Sequence, residues 1–281
     1  MAKDDRARRA QAFRDWHRAP PVLLLPNGWD IMSARVFEAA GYRALATTSA
    51  GLAWALGFPD GEKAPWPEIV DATARIVAAV KIPVTADIEA GYGETPDDVG
   101  QHVAEIAKAG AVGINLEDGA ARLPGGIRAI EDAAARIRAA RQAAAAAGLD
   151  LVINARTDVY LHGTGDADAR LDEAVRRGKA YLAAGADCIY PFGLTDLPTI
   201  AALTRTLGAP VNIVGRAGTP PLVALESAGV ARVSIASGAT LAIMSELQRL
   251  ATELRAKGDF GMLEHRMTRA QAQQLFAVPK G

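Results

Sequence analysis

Two acids, Asp87 and Glu89, close the apolar run "PVTADIE" (83–89), and a third, Glu117, stands near the end of the next such run, "AVGINLED" (111–118). If the two runs are neighbouring strands, alternation sets Asp87 and Glu89 on one face with Glu117 beside them. Three carboxylates brought together repel one another, and each is costly to desolvate without a partner. A proton, an arginine or a metal ion has to offset them. The donors are all oxygens, with no histidine among them and no cysteine nearby. That set points to a hard cation, most simply Mg²⁺ keeping several waters, with Mn²⁺ as the alternative. The same residues also fit an ion-pair network with Arg156 and no metal. Arg156, two residues past Asn154 in "LVINART" (151–157), carries a planar fork suited to gripping a carboxylate or phosphonate at two points. The two roles are compatible.

The segments that must position these groups follow a simple rhythm. Eight apolar runs, at 21–26, 43–49, 83–89, 111–118, 151–157, 187–192, 210–215 and 231–237, alternate with helix-like segments. Eight strand–helix units predict a (β/α)8 TIM-type barrel in preference to an open doubly wound sheet. A helix over about 3–18 and a helical extension over 259–277 fall outside the units, within one barrel domain spanning 1–281. In the third run Val84, Ala86 and Ile88 alternate with Thr85, Asp87 and Glu89. The apolar set is expected to face the helices and the polar set the bore. After it, "GYGETPDD" frees a loop with Gly91 and Gly93, then starts a helix with Thr95 as cap and Pro96 at the first position. No dinucleotide fingerprint is present there, because a proline replaces the third glycine.

Composition narrows the function classes. Of 281 residues, 50% are hydrophobic and 22% charged, and the net charge is −1. This balance argues against nucleic acid or an anionic membrane as partner. No apolar run is long enough to span a bilayer or act as a signal core, so a cytoplasmic location is expected. The single cysteine, Cys188, excludes an intramolecular disulfide and a cysteine-based metal cluster.

In order along the chain, "LLLPNGWDIMSARVFEAAGYRALATTSAGLAWALGFPDG", "ADIEAGYG", "GINLEDG" and "NARTD" resemble the isocitrate lyase/phosphoenolpyruvate mutase superfamily over roughly residues 20 to 240. The resemblance implies a Mg²⁺-dependent barrel that makes or breaks C–C or P–C bonds beside an α-keto acid. It also implies a homo-oligomer, tetramer or dimer, in which the last helix swaps onto a neighbouring barrel. Carried over, Asp87, Glu89 and Glu117 are the metal acids, Glu89 standing where an aspartate is more usual. Ser49, Ala50 and Gly51 resemble the turn that holds the substrate carboxylate. Asp60 in "GFPDG" resembles the aspartate of a mobile gate, Arg156 the arginine on the substrate's oxygens, and Asn212 a further substrate contact.

The pattern departs from the family in two places. After the fourth run, "GAARLPGGIRAIED" lacks the cysteine- and histidine-bearing lid of isocitrate and methylisocitrate lyases. After the sixth, "IYPFG" lacks the glutamate or histidine expected there, leaving Phe192 to line an apolar wall. The reading that survives is a lyase of a small α-keto dicarboxylate acting through a metal-stabilised enolate, with oxaloacetate decarboxylation as its simplest case. Two others stand beside it: a P–C enzyme of the phosphonopyruvate hydrolase or phosphonomutase type, and a catalytically silent keto-acid-binding barrel.

Overall fold

A computed structural model of the chain describes residues 3–120 and 125–277. Its first barrel strand is broken into β1 (Leu23–Leu25) and β2 (Asn27–Gly28) by Pro26, which has no N–H to give to a ladder. There follow β3 (Leu45–Thr47), β4 (Val84–Asp87), β5 (Gly113–Glu117), β6 (Val152–Thr157), β7 (Cys188–Pro191), β8 (Asn212–Val214) and β9 (Arg232–Ser234). Strands β2 to β7 pair in sequence order, β8–β9–β1 form the rest, and every pairing is parallel. A bridge between Ile189 and Val211 joins β7 to β8 and closes the ring. The eight-unit barrel read from the sequence is therefore the fold.

Helices cover the ring and its ends. They are α1 (Lys3–Asp15), α2 (Ile31–Ala39), α3 (Ser49–Leu56), α4 (Trp66–Ala79), α5 (Pro96–Ala109) and α6 (Ile130–Ala146). Then come α7 (Val159–His162), α8 (Ala167–Ala183), α9 (Leu197–Leu207), α10 (Leu222–Ser227), α11 (Gly238–Lys257) and α12 (Arg269–Leu275). Helix α5 shows the local logic. Thr95 and Asp98 form a capping box around Pro96, and Gly110 at φ 100° stops the helix directly before β5. Its stripe Val99, Val103, Ile106 and Ala107 packs on Ala86, Ile88, Ile114 and Leu116, the outward faces of β4 and β5. Two short helices were not legible from periodicity. Helix α3 begins at Ser49, where the second apolar run was expected to continue as strand, and α7 is a single turn after β6.

The N-terminal end of the bore is plugged by α1. Phe13 and Ala10 meet Leu23, Leu25, Ala46, Val112 and Val152 there. Gly113 makes room for the plug, since a Cβ at that position would stand 2.8 Å from Thr85 Oγ1 and 3.0 Å from Phe13 Cε1. At the C-terminal side α11 is mostly exposed, with Leu241, Ile243, Met244, Leu247 and Leu254 open to solvent. Among the described residues, no helix is long and apolar enough to cross a membrane.

His17 sits just behind the plug, buried, with Nδ1 2.7 Å from the Phe13 carbonyl. Burial is the main reason its pKa falls from 6.5 to about 3, and the charge of Arg232 adds to it. The folded value lies below the unfolded one, so the unfolded chain takes up the proton first and stability is lost as pH falls from 6.5 toward 3. At pH 5 the loss from this group is about 2 kcal/mol. Urea unfolding at pH 7 and pH 5 checks it: wild type should lose about that much more between the two than His17→Asn, whose carboxylates titrate alike.

Candidate active site

Polar side chains gather where β4, β5 and β6 end. Asp87 is the last residue of β4. Its N–H donates to Thr47 Oγ1 at 2.8 Å, and its Oδ2 accepts the N–H of Ser49 at 3.1 Å. Ser49 opens α3, so the aspartate lies at the positive end of that helix, where a negative charge is favoured. Ala50 and Gly51 continue the first turn, whose N–H groups have no intrahelical acceptor. A side chain at 51 is impossible without rearrangement, because its Cβ would fall 2.6 Å from Thr48 Cγ2 and 2.8 Å from Trp29 Cβ.

Glu117 ends β5 and Arg156 lies beside it in register on β6. Arg156 Nη1 is 2.7 Å from Glu117 Oε2, while Nε and Nη2 donate to the two oxygens of Asp158 at 2.6 and 2.9 Å. The guanidinium lies face-on over Phe192, 3.9 Å from the ring centroid. Burial would lower the Arg156 pKa, but Glu117 and Asp158 more than offset it and hold it up. Glu117 is pushed well above the usual carboxylate range by burial; Arg156 opposes that, and Asp158, Asp87 and Glu89 reinforce it. Asp158 is fixed in turn: its N–H donates to Asp118 Oδ1, and Asp118 Oδ2 accepts from Tyr181 Oη at 2.6 Å and Arg177 Nη1 at 3.1 Å.

Asp60 comes from the loop between α3 and α4. The residue is exposed as a whole, but its carboxyl end is near enough to the mouth to feel the charges of Asp87 and Arg156. Its pKa is raised mainly by loss of water around that end, with the charge of Asp87 adding, while Gly61, Arg156 and Ser49 pull it down. Ser49, Asp60, Asp87, Glu117 and Arg156 thus lie at the same end of the barrel.

Glu89 departs from the expected geometry. The strand ends at Asp87, and Glu89 takes a left-handed backbone, φ 52°, so the alternation does not carry through to it. Its Oε2 accepts the N–H of Glu62 and its Oε1 the hydroxyl of Tyr92, both at 2.8 Å. Burial raises its pKa to about 7, the Tyr92 hydrogen bond opposes this, and Asp60, Asp87 and Glu62 add repulsion. Each of its oxygens thus accepts a hydrogen bond from a loop, whereas Asp87 and Glu117, the other two acids of the expected set, end barrel strands. Among the described residues, no three His, Cys, Asp or Glu side chains converge as a ready-made cation cage. A hard cation still fits what is present. Two carboxylates at a mouth where acids outnumber cations among the described residues suit Mg²⁺, or Mn²⁺, which keep waters or substrate oxygens as their other ligands.

Asn212 is part of the floor below this mouth. It is buried, with Nδ2 3.0 Å from Ser234 Oγ. Arg232, also fully buried, reaches from β9 across the bore to Asn115 Oδ1 on the opposite strand, β5, at 3.1 Å; Asn154 Nδ2 meets the same oxygen at 2.8 Å. Sequence reading passed over Arg232, Asp158, Glu62 and Tyr92. The first had a usable signal, a charged residue at an inward position of a core strand, and Asp158 stood inside the quoted "NARTD". His102 ties the turn after β4 to α5, with Nδ1 on the Gly91 carbonyl at 2.8 Å. Of the lid segment after β5, residues 121–124 lie outside the described residues.

Comparison with known proteins accords with this geometry. A family profile described as phosphoenolpyruvate phosphomutase matches residues 13–255. The 2-methylisocitrate lyase of Salmonella typhimurium is 30% identical over 259 residues, 88% of this chain and 85% of that protein. Oxaloacetate decarboxylase 2 of Pseudomonas putida is 31% identical over 253 residues, 87% of this chain and 80% of that one. A crystal structure from Burkholderia cenocepacia, provisionally described as a lyase/mutase, superposes with a TM-score of 0.91 at 40% identity, covering 99% of this chain and 98% of that one.

Proposed function

The chain belongs to the isocitrate lyase/phosphoenolpyruvate mutase superfamily, and from that premise we propose a Mg²⁺-dependent lyase of a small α-keto dicarboxylate, with oxaloacetate decarboxylation as the reaction. The observation that carries this reading is the pairing of one fixed cation, Arg156, with the carboxylates of Asp87 and Glu117 at the strand ends, with Phe192 forming an apolar wall beside the arginine. Asp87 and Glu117 would hold the metal, which when bound supplies Lewis-acid stabilisation of charge developing on the keto oxygen.

The protein's own groups account for the remaining tasks. Arg156 is pinned by Asp158 and Glu117 and lies over Phe192, which fixes the plane of its guanidinium for its role of receiving a substrate carboxylate. The first turn of α3 offers backbone N–H groups to the second carboxylate. The C3–C4 bond of oxaloacetate breaks, CO₂ leaves, and the electron pair passes into the C2 carbonyl as an enolate. Asp60 then delivers a proton to C3, giving pyruvate, and is reprotonated by solvent. No cysteine is required for this sequence. Cys188 is buried in β7, with its thiol pKa pushed up to about 12 by burial, and takes no part.

A homo-oligomer is part of the same proposal, supported by the apolar residues that α11 leaves exposed. Light scattering should give a molar mass at least twice the 29.4 kDa of one chain; a monomer at micromolar concentration would retire it.

Pyruvate release from oxaloacetate, followed with and without Mg²⁺, tests the reaction. The rate with enzyme and metal should exceed the metal-only background at least 100-fold and return to it in Arg156→Lys, where the two-point grip is lost. A rate no higher than background contradicts the reading. Phosphate release from phosphonopyruvate in the same assay would instead favour the phosphomutase-type chemistry of the matched family, and oxalate binding without any turnover would favour a silent binding barrel.

A further inference from the structure

Three of the four non-glycine residues with left-handed backbone among the described residues meet at one place: Glu62 (φ 57°), Glu89 (φ 52°) and Tyr92 (φ 57°). Side chains of L-residues adopt this conformation only where the surroundings enforce it, and such positions collect at functional sites. Here the surroundings are each other. The Glu62 N–H donates to Glu89 Oε2 at 2.8 Å, the Tyr92 N–H donates to Glu62 Oε1 at 2.6 Å, and the Tyr92 hydroxyl donates to Glu89 Oε1 at 2.8 Å.

The three residues join two loops of unequal firmness. Glu89 and Tyr92 belong to the turn after β4, which is braced on several sides. Gly91 is seated so closely on Val99 that a Cβ would stand 2.7 Å from it. The Gly91 carbonyl meets His102, the His102 ring stacks on Trp66 at 4.5 Å, and the Tyr92 ring packs on Trp66 at 5.1 Å. Glu62 belongs to the loop that carries Asp60, whose residues Gly57, Pro59, Asp60 and Gly61 are exposed. Only Gly61 separates Asp60 from the clasped position, so fixing Glu62 restrains the stretch of backbone that carries Asp60.

We propose that Glu62, Glu89 and Tyr92 form a clasp that positions Asp60 over the mouth, and that Glu62 and Tyr92 are positioning residues for its proton delivery. The proposal rests on the reading of Asp60 given above. It also accounts for a glutamate at 89: an aspartate would withdraw the carboxylate by one methylene from both the Glu62 N–H and the Tyr92 hydroxyl. Two acids share the clasp without an ion pair because each oxygen named accepts an N–H or O–H.

Hydrogen–deuterium exchange by mass spectrometry on the full chain, free of substrate, reads the clasp without reference to turnover. In Glu62→Ala, exchange over residues 57–63 should accelerate at least tenfold while residues 113–117 keep the wild-type rate. Tyr92→Phe, which keeps the ring against Trp66, should show the same pattern. Glu62→Gln retains an acceptor for the Tyr92 N–H and should stay within threefold of wild type. With oxaloacetate, Glu62→Ala should lower kcat at least tenfold with KM within threefold, and Glu62→Gln should restore most of it. Unchanged exchange over 57–63 in Glu62→Ala overturns the clasp. Faster exchange with unchanged kcat overturns its positioning role. If wild type itself gives no pyruvate above background, the lyase reading fails and the exchange data alone decide whether the clasp holds the Asp60 loop.

Discussion

Crowded negative charge at one end of the barrel is the constraint that the rest of the structure accommodates. Asp60, Asp87, Glu89, Glu117 and Asp158 gather near one cation among the described residues, Arg156, and three of them carry pKa values raised first by burial and then by one another. Such an arrangement is unfavourable in isolation. Each acid is made tolerable by a different device. Asp87 takes the N-terminus of α3, Glu117 and Asp158 share Arg156, and Glu89 is hydrogen-bonded into a neighbouring loop. What these devices leave over is a pair of oxygen donors and a net negative field, the condition under which a divalent cation gains most from binding.

The barrel supplies the rigidity this requires. Parallel register puts Glu117, Arg156 and Tyr190 side by side at the rim, with Asp87, Asn115, Asn154 and Cys188 one layer below. Beneath them Arg232 spans the bore to Asn115, and below that the Phe13 plug seals the far end. Among the described residues, Arg232 has no carboxylate at ion-pair distance, and burial lowers its pKa. A buried cation on the floor offsets part of the negative charge at the rim, and Asp87 is among the groups whose charge it feels. The polar layer and the apolar plug therefore have distinct duties. One sets the field of the site, and the other keeps water and motion out of its base.

Much of this was legible because the pattern is periodic. Eight apolar runs gave the ring, and two-residue alternation sent Ile88 and Ile114 to the helices and Asp87, Asn154 and Arg156 to the bore. Alternation failed where the backbone leaves the β region. Glu89 lies one residue beyond the point where a period of two holds, and no local feature marks its φ of 52°. Glu62 and Tyr92 were invisible for a related reason, since their partners lie 27 and 30 positions away and nothing in either loop announces the contact. Ser49 was placed in a strand because "LATTSAG" is apolar and β-branched, whereas the turn into α3 is set by tertiary contacts around Gly51.

The central claim is that the acids of the mouth work as a cation-dependent site for a keto-acid-like anion, and calorimetric titration with oxalate tests it most directly. Oxalate carries the adjacent oxygens of the proposed enolate, and its binding requires no turnover. The account predicts one oxalate per chain in millimolar Mg²⁺, with affinity at least 100-fold weaker after chelation of the metal or in Glu117→Gln. Equal affinity with and without the cation would contradict it.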